Sequence, residues 1–398
     1  MAKWLLDILN INTILKNKNA VPENFTDSID EGTYRRSVNY SLRKAHFGLF
    51  SGLQHRLIMV LILVFHAVGI LDAILAKWAL PAYWHGLLFL IIASWVLGLL
   101  GLPASLYAKF VIEEEFGFNT SSFRTYVKDA VLGMIVGTVL LMALLGGLYA
   151  AMAISGGYWW LTAWGFVSAF QFVLTILYPM IIAPLFNKFE ALPEGELKDR
   201  LDALAERCRF AVKGIFVMDG SRRSRHSNAY FTGFGQFRRI VIFDTLIESL
   251  SIDELEAVLA HEIGHWKHGH IRKQLIIGTA LNLILFALAG WALNWPPLFQ
   301  AFGFAVPSLH GFLALTVFFS MPIVSFFSPV ANSLSRKHEY QADGFASEQT
   351  GSPNAMMQAL LTLSRDNLSN LTPHPAYSFW HYSHPALSER LKALRQQN

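Results

Sequence analysis

His261-Glu262-Ile263-Gly264-His265 reads H-E-x-x-H, and this stretch decides how the rest of the chain is understood. On a helix, residues four apart share a face, so the two imidazoles can hold one metal ion. Glu262 lies on the adjoining face, where its carboxylate can take a proton from water activated at the metal. Two neutral nitrogens, a neighbouring base and an open position are the parts of a catalytic zinc site. The flanks predict a helix. Ser251-Ile252-Asp253-Glu254 is a capping box, in which a serine hydroxyl and a glutamate three residues on satisfy the first free amides. Leu255, Val258, Leu259 and Ile263 follow at helical spacing, and no proline interrupts Asp253 to His270. His268 and His270 come soon after. They are expected at a solvated or interfacial helix end, away from the metal.

The chain has 398 residues, 53% of them hydrophobic and 15% charged. With a mean hydropathy of +0.37, this composition excludes an ordinary soluble domain. The apolar residues cluster in six stretches near the ~20 residues a bilayer crossing needs. They run roughly Leu57–Leu75, Ala82–Leu102, Ala130–Ile154, Trp160–Leu185, Leu275–Trp295 and Leu309–Val330, the last containing Pro322 and Pro329. The expected fold is mostly α: a polytopic helical membrane protein of about six spans, with a zinc metalloprotease domain containing a small β element. The expected division is a polar segment 1–56, spans within 57–185, a catalytic segment 186–273, spans within 274–330 and a catalytic segment 331–398.

Lys77 alone of the 32 Lys and Arg falls in the loops after the first, third and fifth spans. That asymmetry predicts that both termini and both large polar segments face the cytosol. The home membrane would be the endoplasmic reticulum in a eukaryote or the inner membrane in a bacterium. The sequence pI of about 9.0 then calls for the phosphates of the inner leaflet and no nucleic acid. Cys208 is the single cysteine, so no disulfide framework exists within the chain, as expected for a cytosol-facing soluble part.

Within 186–273, Glu194–Cys208 reads as an amphipathic helix, and Ile215–Met218 and Ile240–Phe243 read as strands. The segment Ser227 to Gly235 between them reads as a turn or irregular edge. Its Gly233-Phe234-Gly235 lacks the helix start and further glycines of a phosphate loop. A third ligand must come from elsewhere. In Asn332 to Asp343, Glu339 and Asp343 are four apart and share a helix face. A hard carboxylate suits the third zinc position, and a second can accept a hydrogen bond from a ligand histidine. His338 is the rival third ligand, about 100° around the helix from Glu339. The alternative is a solvated acidic pair beside Arg336 and Lys337. Glu113–Glu115 is expected to be a solvated loop without chemistry.

These motifs, in this order, resemble type I CAAX prenyl proteases, integral-membrane zinc metallopeptidases. The resemblance runs from about Val21 onward and rests on Gly101-Leu102-Pro103, Val111 to Asn119, Ala183 to Phe186 and Leu192 to Gly195. It continues through Ser227 to Tyr230, His261 to His265, Glu339 to Asp343 and Ser383-His384-Pro385. It implies His261, His265 and Glu339 as ligands of one zinc ion and Glu262 as base. It implies that Asn228 and His384 contact the substrate backbone or the developing oxyanion, and that Asp343 supports a ligand. Arg390 is a weaker candidate for holding that support together. The family also implies a further span ahead of the segment matching Val21–Phe50. Met1–Leu15 is too short to cross, so one span fewer is expected here.

The activity so implied is removal of C-terminal tripeptides from prenylated Cys-aliphatic-aliphatic-x proteins, with lipidated or membrane-associated chains and the bilayer as partners. One alternative is a broad-specificity quality-control protease resembling the heat-shock membrane protease HtpX. Another is a transporter carrying a structural metal, which would need a closed set of four protein ligands.

Overall fold

The computed structural model describes residues 2–232 and 238–396. The Gly233-Phe234-Gly235 stretch therefore lies outside the described residues. The protein is a helical membrane bundle with one polar domain at one end of it.

Among the described residues, four helical stretches are long and apolar enough to cross a bilayer: Glu31–Val64, Ala82–Glu113, Phe123–Phe186 and His270–Ala292. Leu309–Ser320 and Pro322–Thr350 form a fifth, bent by 54°. The bend falls where Pro322 cannot donate to the helical ladder. The Phe123–Phe186 stretch is a hairpin, turning at Gly156–Tyr158 between helices Phe123–Ser155 and Trp159–Leu177. Phe166 on the second arm lies against Gly147 on the first, which a straight helix could not allow. Two of the apolar stretches read from the sequence are thus its two arms. Leu87, Leu145, Leu148, Ala163, Ala289 and Leu309 fill the bundle interior. Ile135, Val139, Ile284 and Leu288 are exposed on its outside, where lipid is the solvent that tolerates them.

The first span differs from the reading. Leu57–Leu75 is not one helix: Glu31–Val64 ends at Phe65, His66 adopts left-handed geometry, and a separate short helix Ala67–Ala76 follows. The apolar run hid this break because Val68 and Leu75 remain apolar for another purpose. They pack on Phe89, Phe299 and Phe304. The helix Ala2–Asn17 is no span either. Its Ile14 joins Phe25, Tyr34, Val38, Leu371 and Leu391 in a core that ties the N-terminal segment to the last helix.

The polar domain has a four-stranded sheet of order β1-β2-β4-β3. The strands are β1 (Phe189–Ala191), β2 (Gly214–Met218), β3 (Ala229–Thr232) and β4 (Arg239–Phe243). β2 and β4 are parallel, and β3 is antiparallel to β4 at the sheet edge. The β3 strand corrects the reading of Ser227–Gly235 as turn or irregular edge: β-prone Tyr230-Phe231 outweigh the flanking Asn and Gly, and Phe231 packs on Phe210. The amphipathic helix runs Glu196–Arg207 and buries Leu201, Leu204 and Ala205. Leu201 and Leu204 share one core with Ile240, Leu259, Ile263, Ala346, Met356 and Leu394. Segments 186–273 and 331–398 are therefore two halves of a single folding unit.

Gly69 on the short helix meets the Gly303 turn so closely that a Cβ would lie 2.2 Å from the Gly303 carbonyl oxygen. Gly98 has nothing within 4 Å of its Cβ position. Gly69→Ala is expected to destabilise the protein by about 1–3 kcal/mol through overpacking. It should lower the melting temperature in detergent, whereas Gly98→Ala should not.

Candidate metal centre

The helix carrying the motif spans Ile252–Lys267 and starts at a complete capping box. Ser251 Oγ accepts from the Glu254 amide, and the Ser251 amide donates to Glu254 Oε2 at 2.7 Å. Leu255, Leu259 and Ile263 anchor one face in the core. Gly264 sets the other contact. A Cβ there would lie 3.1 Å from Ala342 Cα, so the long helix Leu309–Thr350 packs close enough that a side chain would have to push it back by a few tenths of an ångström. Ala342 lies between Glu339 and Asp343, and this approach brings both carboxylates to the histidines.

His261 Nε2 and His265 Nε2 are 3.1 Å apart. Glu339 Oε2 is 3.5 Å from the first and Oε1 is 3.3 Å from the second. His261 Nδ1 contacts Asp343 Oδ1 at 2.8 Å, which fixes the ring hydrogen on Nδ1. His265 Nδ1 is 3.0 Å from His270 Nδ1, and His270 Nε2 is 2.9 Å from Gln341 Oε1. With His270 donating to Gln341, its Nδ1 accepts from His265. Both motif histidines then engage their Nδ1 atoms elsewhere and turn their Nε2 atoms toward each other. Two ring nitrogens this close need a positive charge between them, a proton in the metal-free site or a metal ion in the loaded one. Glu339 Oε2 is buried with no hydrogen bond, and Arg390 comes no nearer than 3.8 Å, so the oxygen keeps a lone pair free for a metal ion. A tetrahedral zinc with bonds of ~2.0–2.1 Å separates its ligand atoms by ~3.3 Å, which the three distances bracket.

The electrostatics agree. Burial disfavours charge on His261, but hydrogen bonds to Asp343 and Glu339 outweigh it and raise its pKa to about 9. Burial pushes Glu339 up, yet the two motif histidines hold it well below the usual carboxylate range. Asp343 is likewise held low, by His261 and Arg390 against burial. Glu262 goes the other way: burial raises it, and it accepts no hydrogen bond from the described residues. A carboxylate in that state is free to take and return a proton.

Arg390, on the helix Leu387–Arg395, is buried and forks onto both oxygens of Asp343, with Nε 2.8 Å from Oδ2. It also comes within 3.8 Å of Glu339 Oε2. His384 brings Nε2 to 3.5 Å from Glu339 Oε1, with Ser383 Oγ 2.9 Å from its Nδ1. A cavity of about 820 Å³ opens beside His384 and Arg390, lined also by Tyr40, Lys44, Asn367 and Tyr382. Asn228 stands just ahead of the edge strand β3. Its side-chain oxygen accepts from the Ala229 amide at 2.9 Å, and its carbonyl accepts from the Phe243 amide. No described contact joins it to the three converging donors.

Two placements depart from the sequence reading, those of His270 and Glu113. His268 is exposed, but His270 is buried against His265. Gly269, left-handed at φ 66°, ends the motif helix and turns the chain back, so helical spacing misplaces residue 270. The glycine itself was the available signal. His338, the rival ligand, stacks on the His270 ring at 3.9 Å and does not join the converging atoms. Glu114 and Glu115 are exposed, but Glu113 is not loose. It accepts from Tyr40 at 2.8 Å and lies 3.2 Å from His226, two residues before Asn228.

A helical membrane bundle joined to an H-E-x-x-H helix with a distant carboxylate defines a membrane metallopeptidase. Residues 10–188 match the family model for the CAAX prenyl protease N-terminal region of five membrane helices, and residues 191–398 match peptidase family M48. The human CAAX prenyl protease 1 homolog is 35% identical over 428 residues, covering 96% of this chain and 90% of the relative. CAAX prenyl protease 1 of Saccharomyces cerevisiae is 36% identical over 406 residues, covering 94% and 88%. The crystal structure of S. mikatae Ste24p superposes with a TM-score of 0.89 at 32% identity, covering 99% of this chain and 96% of that one. The chain therefore belongs to the CAAX prenyl protease family within peptidase family M48, and it is a metalloendopeptidase of the membrane.

Two predictions follow from the geometry. Below about pH 9, metal-free His261 holds a proton that an incoming metal must displace. Calorimetry in buffers of different ionisation enthalpy should therefore show about one proton released per metal bound at pH 7. Affinity should rise with pH and level off above about 9. His270→Phe removes the acceptor of His265 while keeping the buried ring, and should weaken metal affinity about 10–100-fold by competition with a chelator.

Proposed function

We propose that the chain cleaves the C-terminal tripeptide from prenylated CAAX-type proteins, with zinc held by His261, His265 and Glu339. One observation carries the metal assignment: two Nε2 atoms and a buried Glu339 Oε2 without a hydrogen bond converge on one point. The substrate class is supported by the family match and by the names of the human and yeast relatives. Bound there, zinc would lower the pKa of a water molecule toward 7 and polarise the scissile carbonyl.

The chain's own residues do the rest. Glu262 takes the proton from water as its oxygen bonds to the carbonyl carbon, and delivers it to the amide nitrogen as the C–N bond breaks. His384, beside Glu339, donates to the carbonyl oxygen as negative charge develops there. Asn228 is the second donor, since its side-chain amide nitrogen has no partner among the described residues. The peptide lies along the edge of β3 as an added strand, paired through its backbone. Asp343 and Arg390 orient His261 and take no direct part.

The distribution of Lys and Arg supports a cytosolic catalytic side. The transporter reading would need four closed ligands; three donors converge here, with a free carboxylate beside them. The HtpX-like reading is not favoured by a family match that extends through the N-terminal membrane region.

Glu262→Gln should lower kcat by at least ~10²-fold at unchanged zinc content, because it removes the base and leaves the ligands. Cleavage at the wild-type rate by the folded, zinc-loaded variant would end the general-base assignment. A farnesylated peptide should be cut with a much higher kcat/KM than its unlipidated twin. Equal rates would overturn the substrate class and leave the peptidase standing.

A further inference from the structure

A second group of ligand-type side chains lies far from the motif. Asp72 on helix Ala67–Ala76, His85 near the start of helix Ala82–Tyr107 and His310 at the start of Leu309–Thr350 converge from three helices. His85 Nε2 is 2.7 Å from Asp72 Oδ1, and His310 Nε2 is 2.8 Å from the same oxygen. The two imidazole rings stack with centroids 4.9 Å apart. Glu339 sits on the same long helix as His310 but ~40 Å of helix further along, so the two groups mark opposite ends of the bundle.

Three features set this group apart from an ordinary buried pair. Its donor set, two imidazoles and one carboxylate, is the same as that of His261, His265 and Glu339. Among the described residues these are the two groups in which three such ligand atoms lie within 4.8 Å of one another. Asp72 pairs with no lysine or arginine among the described residues, so its charge must be met by a histidine proton or by a cation. His85 and Asp72 keep 14% and 13% of their side-chain surface exposed, which gives an ion a path from solvent.

We propose that Asp72, His85 and His310 form a second metal site, for a zinc-class divalent cation, at the end of the bundle remote from the catalytic motif. Two imidazoles with one carboxylate select this class over calcium or magnesium, which prefer all-oxygen shells, and over copper(I), which prefers thiolates. Insertion of the ion opens the two N···O contacts by about half an ångström. Ser308 Oγ, 3.1 Å from His310 Nε2, or solvent fills the fourth position. The ion would staple three helices that also pack through Phe89, Phe299 and Phe304 and, for two of them, through Leu87 and Leu309.

The test is the metal content of tag-free, full-length protein in detergent, equilibrated with zinc and freed of excess. Wild type should carry about two zinc ions per chain, His261→Ala/His265→Ala about one, and addition of His310→Ala about none. Cobalt(II) in the His261→Ala/His265→Ala background should give the visible absorption of a tetrahedral site. That variant leaves the proposed site untouched, so its own metal content and spectrum decide the matter even if His310→Ala does not fold. Asp72→Asn is the milder alternative. One zinc in wild type, with none and no cobalt spectrum in His261→Ala/His265→Ala, would show a hydrogen-bonded Asp–His–His cluster only and overturn the proposal.

Discussion

The Asp343 carboxylate, held between Arg390 and His261, is the contact on which the rest of the polar domain turns. A buried carboxylate is costly unless its charge and lone pairs are met, and here a guanidinium fork and a ring N–H meet them. Each partner comes from a different helix, so the contact forms only when Ile252–Lys267, Leu309–Thr350 and Leu387–Arg395 have all docked. Once formed, it fixes which His261 nitrogen faces His265 and Glu339. Stability and chemistry are therefore tied together. Loss of Arg390 would leave Asp343 buried beside a histidine without its cationic partner, and both the packing and the tautomer would suffer.

Much of this was legible in the sequence because it is local. The capping box at Ser251 and Glu254, the apolar stripe from Leu255 to Ile263 and the four-residue spacings of His261/His265 and Glu339/Asp343 all express one helical period. The apolar stretches announced the bundle for the same reason. What escaped was set by breaks and by distance. His66 splits an unbroken apolar run, and Gly269 reverses the chain just where helical counting would carry on. Glu113 looked like one of three loop acids until Tyr40 and His226 closed around it. No local pattern could announce that Asp72, His85 and His310 meet, because the meeting depends on how three helices pack.

The start of β3 links the sheet to the membrane region. An edge strand offers unpaired amides and carbonyls, normally a hazard that proteins blunt. Here His226, held by Glu113 and stacked on Phe118, precedes the strand, so a motif between two membrane helices anchors its start. The membrane region is thus part of the site's scaffold as well as its anchor.

The split of the site across the chain also bears on biogenesis. His261 and His265 are synthesised well before Glu339, Asp343, His384 and Arg390, with two apolar helices to be inserted in between. Until those later residues have emerged and folded back, the two histidines lack the Glu339 carboxylate beside them and the buried Asp343 charge that orients His261. A nascent chain in the translocation machinery therefore carries no working peptidase beside its unfolded neighbours. The order of the elements acts as a timer, with hydrolysis withheld until the bundle is assembled.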